Sequence, residues 1–91
     1  MFRVIWEREI LDGISVAYDA ATPSVRERIL DAATAIDEAL AQFPMTAGES
    51  REHPHVRVIV EGPLAATYRV DVEKRLVFIS RVKVHKRPEQ T

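Results

Sequence analysis

Arg57, Arg69 and Arg81 lie in three separate short runs of β-branched and aromatic residues, and Lys83, His85 and Arg87 follow in or just after the last run. Guanidinium groups gathered on one surface hold phosphate oxygens, bidentately where geometry permits. A histidine beside them titrates near neutral pH and can carry a proton. These residue types therefore point to an anionic target, provided that the strands carrying them turn the cations to one side.

The three runs are Val56 to Val60, Ala65 to Val72 and Leu76 to His85, separated by turn segments at Glu61-Gly62-Pro63-Leu64 and Glu73-Lys74-Arg75. They read as three antiparallel strands. Side chains alternate across a strand. Strict alternation collects Val56, Val58, Val60, Ala66, Tyr68, Val70, Val72, Leu76, Phe78, Val82 and Val84 on one face, the expected core. Arg57, Arg69, Arg81, Lys83 and His85 fall on the other, with Ile59, Thr67, Asp71, Val77 and Ile79. Ile59, Val77 and Ile79 would then form an exposed apolar strip between the cations, and such a strip marks a contact surface. Sheet curvature or the loop at 44–55 would cover it instead.

The elements that must position this sheet come earlier. Phe2 to Trp6 reads as a short first strand, apolar enough for a sheet interior. From Glu7 to about Ala20, Ile10, Ile14, Ala17 and Ala21 recur at helical spacing, flanked by Leu11 and Tyr18, with Trp6 and Tyr18 expected in the core. Glu7, Glu9 and Asp12 suit the positive end of that helix. Thr22 then caps a second helix that Pro23 opens, and Val25, Ile29, Ala32, Ile36, Ala39, Leu40 and Phe43 make one stripe before Pro44 ends it. The two helices should form an antiparallel hairpin across the sheet. Residues 44–55 form a polar loop, long enough to suggest a functional segment. His53 and His55 flank Pro54 there with no carboxylate or cysteine spacing to complete a metal site, so they read as loop residues. Residues 86–91 read as a loose tail. The expected fold class is α+β, in the order β-α-α-β-β-β, with a helical hairpin on one face of a small, twisted, mainly antiparallel sheet and a single domain over residues 1–91.

The bulk properties narrow the function. A chain of 91 residues has room for one modest core. It has no cysteine, which excludes disulfides and thiolate metal sites. No apolar stretch is long enough for a membrane span, so the expected location is the cytoplasm, with no membrane partner and no cofactor or metal. The net charge of −1 hides an asymmetry: residues 1–49 carry four arginines against nine carboxylates, and residues 50–91 carry nine basic residues against five carboxylates. A local positive excess can serve as a phosphate footprint even in a near-neutral chain.

Taken together, the chain resembles the RelE/ParE superfamily of bacterial toxin-antitoxin toxins. The resemblance spans almost the whole chain: Val4-Ile5-Trp6 ending the first strand, the helical hairpin, the turn from Gly48 to Arg51, Tyr68-Arg69-Val70, and the closing run from Val77 to Arg87. It implies one of two activities. RelE-like members cut mRNA in the ribosomal A site without a metal, and ParE-like members poison DNA gyrase. It also implies a cognate antitoxin as partner, for which Ile59, Val77 and Ile79 are the candidate contacts. Metal-free RNA cleavage needs a base for the 2′-hydroxyl, an acid for the leaving oxygen and cations for the charge that builds on phosphorus. On the ribonuclease reading His85, Arg81 and Arg69 are the candidate catalytic residues, and Arg57, Lys83 and Arg87 the candidate RNA phosphate contacts. Ala65 stands where those enzymes carry an arginine, and no tyrosine follows His85. Ala65 favours the second class, a gyrase inhibitor or a homologue that only binds its antitoxin.

Overall fold

Thr22-Pro23 divides the helical part of the chain as the sequence requires. In a computed structural model, which describes residues 1–85, α1 spans Arg8–Asp19 and α2 spans Pro23–Gln42. The Thr22 hydroxyl accepts a hydrogen bond from the Val25 amide (3.3 Å), and Pro23 occupies the first turn, where its missing N–H costs nothing. The stripe of α2 buries Ile29, Ala32, Ile36 and Leu40. Phe43 leaves it: the backbone departs from helical geometry there (φ −135°, ψ 57°), and the ring is 62% exposed.

The first helix is held more loosely, with none of its residues fully buried and Ile10, Ile14, Ala17 and Tyr18 half-buried. Arg26 of α2 secures its C-terminal end. The guanidinium donates to the carbonyls of Tyr18 (2.9 Å) and Asp19 (3.0 Å) and lies over the Tyr18 ring, placing a cation at the negative helix end.

Five strands form one sheet: β1 (Arg3–Trp6), β2 (Glu49–Arg51), β3 (His53–Glu61), β4 (Leu64–Asp71) and β5 (Leu76–Val84), in the order β1-β5-β4-β3-β2. β1 runs parallel to β5 and every other pair is antiparallel. The architecture is therefore two helices on one face of a mainly antiparallel sheet. One strand is added to the expected order, because part of the 44–55 loop pairs as β2 and β3 begins at His53, earlier than alternation suggested. Close approach lets β2 form: a Cβ on Gly48 would lie 2.4 Å from the Val58 carbonyl oxygen, so only glycine fits. The Trp6 indole donates to Asp37 (2.8 Å), tying β1 to α2.

The strand faces differ from strict alternation in two places. The face beneath the helices buries Ile59 from β3, Leu64, Ala66, Tyr68 and Val70 from β4, and Val77 and Ile79 from β5, with Val82 and Val84 packed beside them. On β3 the expected parity is reversed. Gly62 (φ 51°) and Pro63 make a two-residue turn in which Glu61 pairs with Leu64, so Ile59 must share the side of Ala66. Ile59 is consequently 4% exposed and Val60 62%.

On β5 the reversal covers only the first half of the strand. Asp71 accepts a hydrogen bond through its carboxylate from the Lys74 amide (3.1 Å), so the turn starts one residue early and Asp71, rather than Val72, pairs with Leu76. Val77 and Ile79 then point inward, both 0% exposed. Ser80 is bulged out between the pairs Tyr68–Ile79 and Thr67–Arg81, which restores the expected parity for Arg81, Val82, Lys83 and Val84. The strip of Ile59, Val77 and Ile79 that alternation placed on the exposed face is therefore core, and the exposure on which its role as an antitoxin contact rested is not there.

Candidate functional site

Arg69 of β4 and Arg81 and Lys83 of β5 reach solvent on the sheet face that the helices leave open. Their positions follow from register: Arg69 stands opposite Phe78 on one side and Val56 on the other, Arg81 opposite Thr67, and Lys83 opposite Ala65. Among the described residues the ion pair present is Arg51–Glu49, at 3.7 Å and exposed, and no carboxylate pairs with Arg69, Arg81 or Lys83. Cations held at strand spacing without a short-range counterion are available to phosphate oxygens. The Arg69 guanidinium is also oriented, lying 5.4 Å from the centre of the Phe78 ring.

Arg57 does something else. It pairs with Tyr68 in register and so faces the helical layer, where its guanidinium donates to the Gly48 carbonyl (2.7 Å). The neighbouring Tyr68 hydroxyl is buried and donates to the Pro44 carbonyl (2.7 Å). Burial pushes the phenol pKa above its ordinary value of 10.0, and the adjacent Arg57 charge offsets part of that rise. Arg57 thus fastens the segment from Pro44 to Gly48 onto the sheet. Its placement among the phosphate contacts is corrected by the same two-residue turn that inverted Ile59.

The histidines also change places. His85 is exposed just beyond β5, and its amide donates to the Pro63 carbonyl (2.7 Å), which sets it beside the β3–β4 turn. Phe78 lies seven residues earlier with one of the intervening residues bulged out, a span of about 20 Å at roughly 3.3 Å per residue. The structure therefore brings Arg81 and Lys83 near His85 but leaves Arg69 toward the other end of the sheet. There, His55, Arg69, Val70, Asp71, Val72, Glu73 and Phe78 line an open cleft of about 370 Å³. His55 belongs to β3 rather than to a loop and lines this cleft at the end of the sheet, although alternation along β3 gives it the parity of Arg57 and Ile59 rather than that of Arg69. From the sequence alone His55 reads as a loop residue and Phe78 as a core residue. The missed signal was Asp71-x-x-Lys74, a side chain–backbone turn that fixes the parity of Phe78. Arg87 lies outside the described residues.

No family model matches the sequence, and no curated protein matches it either. Solved structures do. The toxin-antitoxin complex RelBE2 from Mycobacterium tuberculosis contains a chain 23% identical to this one, with a TM-score of 0.68, covering 93% of this chain and 98% of that one. The chromosomal ParDE toxin-antitoxin system from P. aeruginosa gives 22% identity and a TM-score of 0.70, with 94% and 98% covered. This chain has the RelE/ParE toxin fold. The isolated E. coli RelE toxin is similar as well, at 21% identity and a TM-score of 0.63 over 98% of this chain and 89% of that one. The RelE/ParE fold accounts for the order of strands and helices.

Proposed function

We propose that this protein is the toxin of a bacterial type II toxin-antitoxin pair and that it acts on RNA, as a metal-free, ribosome-dependent mRNA endonuclease in the cytoplasm. The observation that carries the proposal is the set Arg69, Arg81 and Lys83, exposed on one sheet face with no carboxylate paired to them among the described residues. Such a face can grip two or three consecutive phosphates, while a histidine at either end supplies proton transfer. The antitoxin partner is supported by the company of the fold, since the RelBE2 structure is a toxin-antitoxin complex.

The second reading, a ParE-like gyrase inhibitor or a homologue that only binds its antitoxin, is favoured by Ala65 and by the span between Arg69 and His85. Induced expression followed by primer extension on mRNA tests the first reading, and a supercoiling assay with purified gyrase tests the second. Cuts at codon boundaries support the endonuclease, and accumulated gyrase–DNA cleavage complexes support the inhibitor. Single variants then locate the chemistry. Loss of about 10²–10⁴-fold in cleavage rate on His55→Ala with His85→Ala unaffected assigns proton transfer to the cleft, and the reverse result assigns it to the β5 end.

A further inference from the structure

The cleft that contains Arg69 is not a simple phosphate pocket. Arg69 and His55 line it together with two carboxylates, Asp71 and Glu73, over the ring of Phe78. The cleft sets the Arg69 guanidinium against two carboxylate side chains, and that anionic wall would repel a bare phosphate. Its volume of about 370 Å³ lies at the low end of small-ligand sites, roughly 300–1,000 Å³. A ligand that suits it must combine an anion for Arg69, a flat π surface for the Arg69–Phe78 stack, and hydrogen-bond donors for the carboxylates.

We infer that the cleft takes one unpaired guanine base of an RNA strand; this rests on the proposed action on RNA and deepens it. Unstacked bases pack on aromatic rings or guanidinium planes. Guanine presents two adjacent donors, N1–H and the N2 amino group, to a carboxylate acceptor. Adenine offers an acceptor at N1, which an anion repels, and uracil a single donor. Glu73, exposed in the β4–β5 turn, is the reader of that edge. Asp71 already accepts from the Lys74 amide through one oxygen, and the other can assist. The backbone phosphate of the same nucleotide lies within reach of Arg69, and the strand continues along Arg81 and Lys83.

The test is fluorescence anisotropy of the full chain with fluorescein-labelled oligouridylates carrying a single G, inosine, A or C. The expected order places G about tenfold tighter than A, the discrimination typical of one bidentate base contact, with inosine, which lacks the N2 amine, in between. Glu73→Gln should erase the G preference without weakening binding of plain oligouridylate, since it removes an anion from the cleft, and Asp71→Asn, which keeps the acceptor for Lys74, should reduce the G preference less. Equal binding of all four oligonucleotides overturns the base site and leaves action on RNA standing. Binding of none of them also overturns the base site, while action on ribosome-bound mRNA is decided separately by primer extension.

Discussion

Arg57 and Arg69 are close neighbours in the sheet, since Val56 pairs with Arg69 and Arg57 with Tyr68, but they face opposite layers. Arg57 meets the carbonyl of Gly48 beside a buried phenol, so its charge is used in holding a segment down. Arg69 stands in solvent on an aromatic ring with no carboxylate partner among the described residues, so its charge is available to a ligand. One residue type thus does two jobs, divided by a single position of strand parity. Partial burial and a hydrogen bond to a backbone carbonyl mark the structural arginine, whereas exposure and a guanidinium oriented on an aromatic ring mark the one proposed to meet a ligand.

This contrast can be broken from the structural side first. Ile79→Ala, beneath the helices, should cost about 3–4 kcal/mol in urea unfolding, a large part of the stability of a domain this size. A loss under about 1 kcal/mol would put Ile79 back on the surface. Gly48→Ala forces a Cβ against the Val58 carbonyl and the Tyr68 hydroxyl and should cost about 3 kcal/mol, read the same way. Tyr68→Phe strands the buried Pro44 carbonyl without its donor and should cost about 1–2 kcal/mol.

The same tyrosine gives a pH signature. Its folded pKa is raised above 10.0, so the folded state holds the phenolic proton more tightly than the unfolded chain. The stability this provides is complete below pH 10 and is lost as pH rises above it. In Tyr68→Phe that part of the alkaline decline should vanish, as equilibrium unfolding at a series of pH values will show. The smallest stability effects belong to the open face: Arg69→Ala, Arg81→Ala and Lys83→Ala should each stay within about 0.5 kcal/mol of the parent. Each should nevertheless weaken RNA binding and lower the slope of log K against log salt by about 0.7, the value for one phosphate contact on a single strand. Arg57→Ala should do the opposite, lowering stability with little change in that slope.

Both helices were legible without coordinates. Thr22-Pro23 caps and opens α2, its stripe at helical spacing points inward, and Pro44 ends it, because capping and periodicity act within a few residues of the chain. The number and order of the long elements follow from the same short-range signals, as does the parity of β4, whose alternating Ala66, Tyr68 and Val70 are unambiguous. What only the tertiary structure decided was the handing of faces on β3 and β5. There, apolar residues occupy both parities, so burial depends on register, and register was set by the Gly62-Pro63 turn, the Asp71–Lys74 hydrogen bond and the bulge at Ser80. A slip of one residue in a strand exchanges its two sides entirely. That exchange moved Ile59, Val77 and Ile79 into the core, turned Arg57 into a fastening and brought Phe78 beneath Arg69, in a cleft that His55 shares.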